Sequence, residues 1–306
     1  MKWSPGVLFA LLCICWGTNW LAVKVAVTQV SPLTFTTVRS LVSGLVMLAL
    51  VDRRATLALL SRAPFRMVAV ALLTNTLTYS GLYWGTGQAP SGLAAIVNNA
   101  LMPIGLLLFG LAFHEERFSL RRLAGIVIGA GGLALLFAHR AGGDYGPRVA
   151  AGLAAVALGT LAYCLGSIWS RPLVRNAPPM AVGALQMLIG GGLLAPFAWA
   201  LERPDATTLA ALGAPAVLAS MVWLVVAGGV AGMTIYLRLI RDWGPTRAGM
   251  YAFVAPIIAT AMGAAFLGER LGWLEAAGAA LMLGAAALVL PAPRPALPLG
   301  GDGRRR

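Results

Sequence analysis

Long apolar stretches constrain the fold of this chain more than any other feature of its sequence. Runs of about 20 residues with few charges recur along it, and about 20 apolar residues allow a helix to cross the hydrocarbon core of a bilayer. The sequence therefore predicts an all-α polytopic membrane protein with ten transmembrane helices. The predicted spans are 5–28, 33–51, 66–87, 92–113, 121–138, 149–170, 180–200, 215–237, 246–267 and 272–290.

The composition indicates that lipid is the outer solvent of this protein. Charged residues make up 11% of the chain, whereas about a quarter of a soluble domain is charged. The cysteines Cys13, Cys15 and Cys164 lie inside apolar runs, where they resemble small hydrophobic residues more than metal ligands. The first apolar run is long and contains Lys24, so we interpret it as a retained helix rather than a cleaved signal peptide.

The distribution of lysine and arginine predicts how the chain sits in the membrane. With the N-terminus inside, the cytoplasmic segments hold 17 of the 23 basic residues and the opposite segments hold 4. The positive-inside rule then predicts a multi-pass protein of the cell inner membrane with both termini in the cytoplasm. Topology explains the net charge of +13 better than nucleic-acid binding does. The Pro- and Gly-rich segment 291–306 is predicted to be a disordered basic cytoplasmic tail.

An internal repeat divides the chain into two units, 1–140 and 149–290. At an offset of 147 the matching pairs are Trp16 with Tyr163, Lys24 with Arg171, Pro32 with Pro179 and Arg39 with Gln186. At an offset of 153 they are Tyr83 with Tyr236, Pro103 with Pro256, Glu116 with Glu269, Arg117 with Arg270, Gly125 with Gly278 and Gly131 with Gly284. Because five crossings turn the second unit over, the pattern predicts two inverted five-helix repeats, which are typical of transporters.

Several of these residues belong to motifs that resemble a known family. The motifs are WGTNWLAVK at 16–24, the run from Pro103 through FHEERFSLRRLAGIVIGAGG, and its counterpart from Pro256 through FLGERLGWLEAAGAALMLG. Over about 5–290 the chain resembles the EamA-type permeases of the drug/metabolite transporter superfamily. The resemblance implies a ten-helix carrier with a central cavity that exports amino acids or other small metabolites. The doubled glutamate in His114-Glu115-Glu116 departs from this family, which more often has a single Glu before the arginine.

Polar and aromatic side chains inside the spans are candidates for the cavity lining, because in lipid such groups must turn inward or pair. The predicted substrate-binding residues are Trp16, Asn19, Arg39, Tyr79, Tyr83, Asn98, Asn99, Tyr163, Gln186 and Tyr236. A pocket of amides, rings and one cation suits a zwitterionic or aromatic metabolite. Arg39 is expected to bond either helix-end carbonyls or a substrate carboxylate, and Lys24 is expected to reach the outer interface.

Two prolines and two glutamates at equivalent positions form a second group of candidates. Pro103 and Pro256 each remove a backbone hydrogen bond near the centre of a span, and such paired helix interruptions point to a binding site. A packing kink without ligand contact is the alternative. Glu116 and Glu269 lie beside an arginine at the start of the following helix, which favours helix capping or gating over substrate binding.

Together these features predict a secondary transporter that works by alternating access. We expect no catalytic residue, no metal site and no cofactor, with a small molecule and the lipid bilayer as partners. The ten acidic residues lie in loops or at helix ends, so exchange, facilitated diffusion and proton coupling through Glu116 or Glu269 all remain open. A membrane-embedded enzyme and an assembly subunit without transport activity are the alternatives. The sequence is compatible with a monomer or a homodimer.

Overall fold

The computed structural model describes residues 3–137, 146–267 and 272–290. Within these ranges the chain is helical and has no strand, as the apolar runs predict. Glu269 and the tail 291–306 lie outside the described residues. The helices are α1 Pro5–Val27, α2 Pro32–Leu50, α3 Arg53–Arg62, α4 Pro64–Thr86, α5 Ser91–Ala112, α6 Leu120–Leu136, α7 Pro147–Asn176, α8 Pro179–Glu202, α9 Ala206–Ala211, α10 Pro215–Trp243, α11 Pro245–Gly249, α12 Tyr251–Leu267 and α13 Trp273–Val289.

Each predicted span overlaps one or two of these helices. Six helices are long and apolar enough to cross a membrane, namely α1, α2, α5, α7, α8 and α10. α3 and α4 meet at a bend of 99° and make a seventh candidate if they form one broken span. These counts cover the described ranges alone, and ten crossings stay a prediction.

Proline at the first turn begins many of these helices, including α1, α2, α4, α7, α8, α10 and α11. Proline has no backbone N–H, and the first helical position needs none. The short α9 begins after Asp205, whose carboxylate accepts a hydrogen bond from the backbone N–H of Thr208 at 2.8 Å. This bond and those from the hydroxyl groups of Thr208 and Thr207 lower the pKa of Asp205 to about 2.

Two of the long helices contain a π-helical segment. In α4 it spans Leu72–Leu77, and in α10 it spans Leu224–Met233. The two segments overlap when the offset of 153 between the repeats is applied. Each repeat therefore carries the same backbone distortion near the middle of its third predicted span. Turns of this kind are rare and occur frequently at functional sites.

Corresponding helices of the two repeats pack against each other as antiparallel pairs. In the α6/α13 pair, Gly125 lies against Val289 and Gly132 lies against Gly278, so the two helices run in opposite directions. α2 and α8 form a similar antiparallel pair. Antiparallel packing of corresponding helices fits the predicted inverted repeats, which stay a prediction.

The first helix of each repeat packs mainly against the other repeat. α1 lies against α10 and α12, and α7 lies against α4 and α5. Each of these contacts has its counterpart in the other half of the molecule. The two repeats therefore share one core instead of stacking as separate units.

Gly132 and its neighbour Gly131 offer a test of the α6/α13 contact. A Cβ at Gly132 would lie 2.7 Å from the carbonyl oxygen of Gly278, whereas a Cβ at Gly131 would have no neighbour within 4 Å. We expect Gly132→Ala to destabilise the protein by about 1–3 kcal/mol through overpacking. Gly131→Ala should be neutral or slightly stabilising, because alanine favours helices. Thermal unfolding in detergent measures both, and equal melting temperatures for the two variants would contradict the contact.

Candidate functional site

A cavity of about 190 Å³ lies between the two repeats. Residues of α1, α2, α4, α5, α7, α8, α10 and α12 line it, so both repeats contribute. Eight of the ten predicted substrate-binding residues belong to the lining, namely Trp16, Asn19, Arg39, Tyr79, Tyr83, Asn98, Asn99 and Tyr163. The lining also includes residues that the sequence analysis did not select, among them Thr74, Thr78, Met102, Met187 and Leu224.

The cavity lies in one half of the bundle. This half ends where α8 finishes at Glu202, and we name it the Glu202 end; α1 finishes and α2 begins at the same end. Val23 and Tyr83 line the cavity and lie within four residues of the ends of α1 and α4. The opposite side, where Glu116 follows α5, is named the Glu116 end. The space thus extends from the middle of the bundle toward the Glu202 end.

Arg39 is the charged residue of this lining. It lies on α2 and is 8% exposed, and its Nη2 donates a hydrogen bond to the Tyr79 hydroxyl at 3.1 Å. Its guanidinium carbon is 5.4 Å from the centre of the Tyr79 ring, within reach of cation–π attraction. Within the described residues Arg39 makes no hydrogen bond to a helix-end carbonyl, which was one of the two expectations. Its protein acceptor is the Tyr79 hydroxyl of the neighbouring α4.

Two tyrosines of α4 form a wall beside Arg39. The rings of Tyr79 and Tyr83 lie 6.0 Å apart and are nearly parallel, at 17°. Their spacing of four residues places them on successive turns of one helix face. Thr36 of α2 donates its hydroxyl hydrogen to the Tyr83 oxygen at 3.1 Å, which holds the second ring against α2.

Four aromatic side chains close the cavity toward the Glu116 end. The Trp16 ring lies 5.1 Å from that of Tyr236 and 4.5 Å from that of Tyr251, and Tyr163 lies 5.8 Å from Tyr236. The Tyr236 hydroxyl donates to the Ser167 hydroxyl at 3.0 Å. These rings form a packed layer beneath the open space.

Gln186 and Tyr236, both predicted to bind substrate, do not reach the cavity. Gln186 is 1% and Tyr236 2% exposed. They lie together in a compact region that leaves no room for a water molecule. Gln186 is the repeat counterpart of Arg39, and Tyr236 is the counterpart of Tyr83. Arg39 and Tyr83 thus line the open cavity in the half of the bundle toward the Glu202 end. Their repeat counterparts fill a closed region in the half toward the Glu116 end.

Close contact between α1 and α10 positions two of the lining residues. Trp16 Nε1 donates a hydrogen bond to the carbonyl oxygen of Gly228 at 3.1 Å. A Cβ at Gly232 would overlap Trp16 Nε1, and a Cβ at Gly228 would lie 2.7 Å from Asn19 Nδ2. The three glycines 228, 229 and 232 within one span were a signal for this approach that the sequence analysis did not use.

The amides of α5 are partly engaged by the protein itself. Asn98 Oδ1 accepts a hydrogen bond from the Thr160 hydroxyl of α7 at 2.9 Å. Asn99 Nδ2 donates to the carbonyl oxygen of Ala95 at 2.9 Å, one turn earlier. Asn98 therefore joins the first repeat to the second while it also lines the cavity.

The two prolines lie inside continuous helices and do not break them. Pro103 is within α5 and Pro256 within α12, so the predicted interruption is limited to the missing N–H of each proline. The residues directly before them, Met102 and Ala255, line the cavity. A local loss of hydrogen bonding thus adjoins the cavity on each repeat.

Glu116 caps a helix, but a different helix from the one predicted. Its Oε1 accepts a hydrogen bond from the backbone N–H of Thr246 at 2.9 Å, in the first turn of α11, and its Oε2 forms an ion pair with Arg122. Gly244, which precedes α11, has φ +89°, and a Cβ there would lie 2.8 Å from Glu116 Oε1. The following helix begins at Leu120 without Glu116 as its cap. The carboxylate therefore links the two repeats.

The additional glutamate, Glu115, also binds the second repeat. Its Oε2 accepts a hydrogen bond from Arg171 Nη1 at 3.0 Å and lies 3.3 Å from Arg175 Nη2. Both arginines belong to the last part of α7. The doubled acidic charge at 115–116 thus ties α5 to two helices of the other repeat at the Glu116 end.

Glu202 is a structural residue that the sequence analysis missed. Its Oε1 accepts from the backbone N–H of Leu33 at 2.7 Å, and its Oε2 accepts from the N–H of Thr34 at 2.7 Å. These are the first free donors of α2, so Glu202 of the second repeat caps a helix of the first. Its position at a helix end beside Arg203 was the available signal.

One protein-family model matches this chain twice. The model of the EamA-like transporter family matches residues 4–138 and again residues 150–290, one match within each predicted repeat. The match confirms the resemblance to EamA-type permeases. The "Uncharacterized inner membrane transporter YedA" of Escherichia coli K12 is 29% identical over 278 residues, which cover 88% of this chain and 85% of that protein.

A less similar relative and a solved structure also match over most of this chain. The "Probable amino-acid metabolite efflux pump" of Salmonella typhimurium is 23% identical over 293 residues, 92% of this chain and 93% of that protein. A solved crystal structure superposes with a TM-score of 0.72 at 22% identity, covering 93% of this chain and 96% of that chain. This likeness shows that the two chains share a fold.

Thiol labelling tests which end of the cavity is open. In a variant with alanine at Cys13, Cys15 and Cys164, we expect Asn98→Cys to react with a membrane-impermeant methanethiosulfonate because Asn98 lines the open space. Ser167→Cys should react at least about tenfold more slowly, since Ser167 is 1% exposed.

The exposed Thr207 of α9 marks the Glu202 end and supplies the reference. Asn98→Cys should react from the membrane side that labels Thr207→Cys. Labelling from the opposite side, or equal rates at positions 98 and 167, would contradict the cavity as described.

Proposed function

The chain belongs to the EamA-like transporter family, and we propose that it is a secondary transporter that moves small metabolites across the inner membrane by alternating access. The observation that carries this proposal is the asymmetry between equivalent halves. The half of the bundle toward the Glu202 end, with Arg39 and Tyr83, holds the cavity. The half toward the Glu116 end, with Gln186 and Tyr236, is packed. In a carrier with inverted repeats, exchange of these two packings moves the opening from one membrane face to the other.

The closed end consists of side-chain contacts, several of which join the two repeats. The aromatic layer around Trp16 and Tyr236 lies directly beneath the cavity. Beyond it, Glu115 and Glu116 bind α7 and α11. We propose that these bonds hold the Glu116 end shut and separate when the cavity opens there.

We further propose ten crossings with both termini in the cytoplasm. The bias of basic residues supports this orientation, and the paired antiparallel helices support an odd number of spans per repeat. The Glu116 end is then cytoplasmic, and the cavity opens outward. A name such as inner membrane transporter, given to the Escherichia coli relative, supports the same location.

Amino acids or related amphiphilic metabolites are the proposed cargo. Support comes from the name of the Salmonella relative and from a lining that combines one cation, amides and aromatic rings. A membrane-embedded enzyme is less well supported, because the lining within the described residues contains no histidine or acid to carry out chemistry. An assembly subunit without transport activity is less well supported, because polar and aromatic side chains of both repeats surround an open cavity.

Uptake into proteoliposomes tests the function. We expect purified protein to accelerate uptake of radiolabelled metabolites from a panel of amino acids and organic acids. Arg39→Ala should lower the initial rate about tenfold or more, because a hydrogen bond to a charged group is worth about 1.5–3 kcal/mol. Lys24→Ala is the matched control, since Lys24 is also basic and within a span but is exposed and outside the lining. No uptake of any compound would contradict the transporter proposal.

A pH gradient across the same vesicles tests proton coupling. No acid of the described residues lines the cavity, and both Glu116 oxygens are engaged by the protein. We therefore expect the initial rate to be unchanged when the gradient is imposed or reversed. A rate that rises severalfold with an inward proton gradient would instead favour coupling through a glutamate.

A further inference from the structure

The cavity carries positive charge without an acid to balance it. Arg39 is the charged residue among the described residues that line it. The carboxylate of Glu202 lies at the same end but outside the lining, where it accepts hydrogen bonds from the first N–H groups of α2. A buried guanidinium without a counter-charge is unfavourable, so the site favours a bound anion.

Arg39 has hydrogen-bond donors to offer to such an anion. A guanidinium has five N–H donors, and one of those in Arg39 is used on the Tyr79 hydroxyl. Within the described residues no other protein acceptor lies within hydrogen-bond distance of Arg39. Its planar fork matches the two oxygens of a carboxylate. The Tyr79 contact fixes the guanidinium at the edge of the cavity.

An ammonium group would find much less support there. Its usual partner is a carboxylate, and the described lining contains none. Asn98 Oδ1 accepts one hydrogen bond from Thr160. Asn19 Oδ1 has no partner among the described residues, but it is enclosed by the protein and not exposed to the open space. In addition, an ammonium next to a bound carboxylate would be repelled by Arg39.

The rest of the lining is suited to an apolar body. The stacked rings of Tyr79 and Tyr83 offer a flat face, and Met102, Met187 and Leu224 add flexible aliphatic surface. The volume of about 190 Å³ is below the range of pockets for drug-sized ligands. A single cation also favours a monoanion over a dianion such as phosphate.

We infer that this cavity selects small organic monocarboxylates with an apolar or aromatic body over zwitterionic amino acids and over amines. This inference rests on the proposed function, because it assigns the substrate class of the same site. Of the proposed cargo it keeps the amphiphilic metabolites that carry one carboxylate and no ammonium, and it excludes the amino acids.

Four probes of nearly equal size test the charge preference in detergent-solubilised full-length protein. They are 3-phenylpropionate, phenylalanine, 3-phenylpropionamide and 2-phenylethylamine. We expect 3-phenylpropionate to bind at least about tenfold more tightly than phenylalanine, which differs from it by the ammonium group. The amide and the amine should bind more weakly still. Thermal shift and equilibrium dialysis give the dissociation constants, and phenylalanine binding as tightly as 3-phenylpropionate would overturn the inference.

Two substitutions of Arg39 separate charge from folding. Arg39→Gln should abolish the preference for 3-phenylpropionate over its amide, whereas Arg39→Lys should keep the preference with weaker binding, because lysine has the charge without the fork. Lys24→Gln should leave all four constants unchanged. An unaltered preference in Arg39→Gln would also overturn the inference, and Arg39→Lys carries the test if Arg39→Gln does not fold.

Equilibrium binding distinguishes this inference from the transport proposal. Selective binding of 3-phenylpropionate without any flux in proteoliposomes would refute transport and leave the charge preference standing. Flux of amino acids at the same rate as organic acids would support transport and refute the charge preference.

Discussion

Close approach of helix backbones is the physical constraint on which this bundle depends. Lipid tails are as apolar as leucine, so helices in a bilayer gain little from burying apolar surface against one another and must gain from tight packing. The glycines of α6 and α13 allow backbone to meet backbone. At the cavity, Gly228 and Gly232 let α1 approach the π-helical part of α10, which brings Trp16 and Asn19 to their positions. The shape of the site thus follows from where side chains are missing.

Two carboxylates complete this arrangement by satisfying helix ends of the opposite repeat. Glu202 accepts from the first N–H groups of α2, and Glu116 accepts from the N–H of Thr246 in α11. Free N–H groups at a helix start carry partial positive charge, so each carboxylate is held by hydrogen bonds and by charge. One of these carboxylates lies at each end of the bundle, and each joins the two repeats.

The helices could be predicted from sequence because hydropathy is a property of the chain alone. The membership of Arg39, Tyr79 and Tyr83 in the lining could also be predicted, since a polar group in an apolar span must turn inward. The partner of Glu116 could not, because Thr246 lies 130 residues away in sequence and no local pattern reports that distance. The exclusion of Gln186 and Tyr236 was equally out of reach. Their exclusion from the cavity depends on which half of the bundle is packed in this conformation. The repeated pattern of polar residues does not indicate which half that is.

The exchange of first helices between the repeats has a consequence for how the protein is made. α1 is synthesised first, yet its packing partners α10 and α12 are synthesised in the second half of the chain. The bond from Trp16 to Gly228 spans 212 residues of sequence. α1 therefore lacks its main packing partners until α10 and α12 have been synthesised. Contacts of such long range form slowly, so the newly made first half is the stage at which this chain is most exposed to misassembly and degradation.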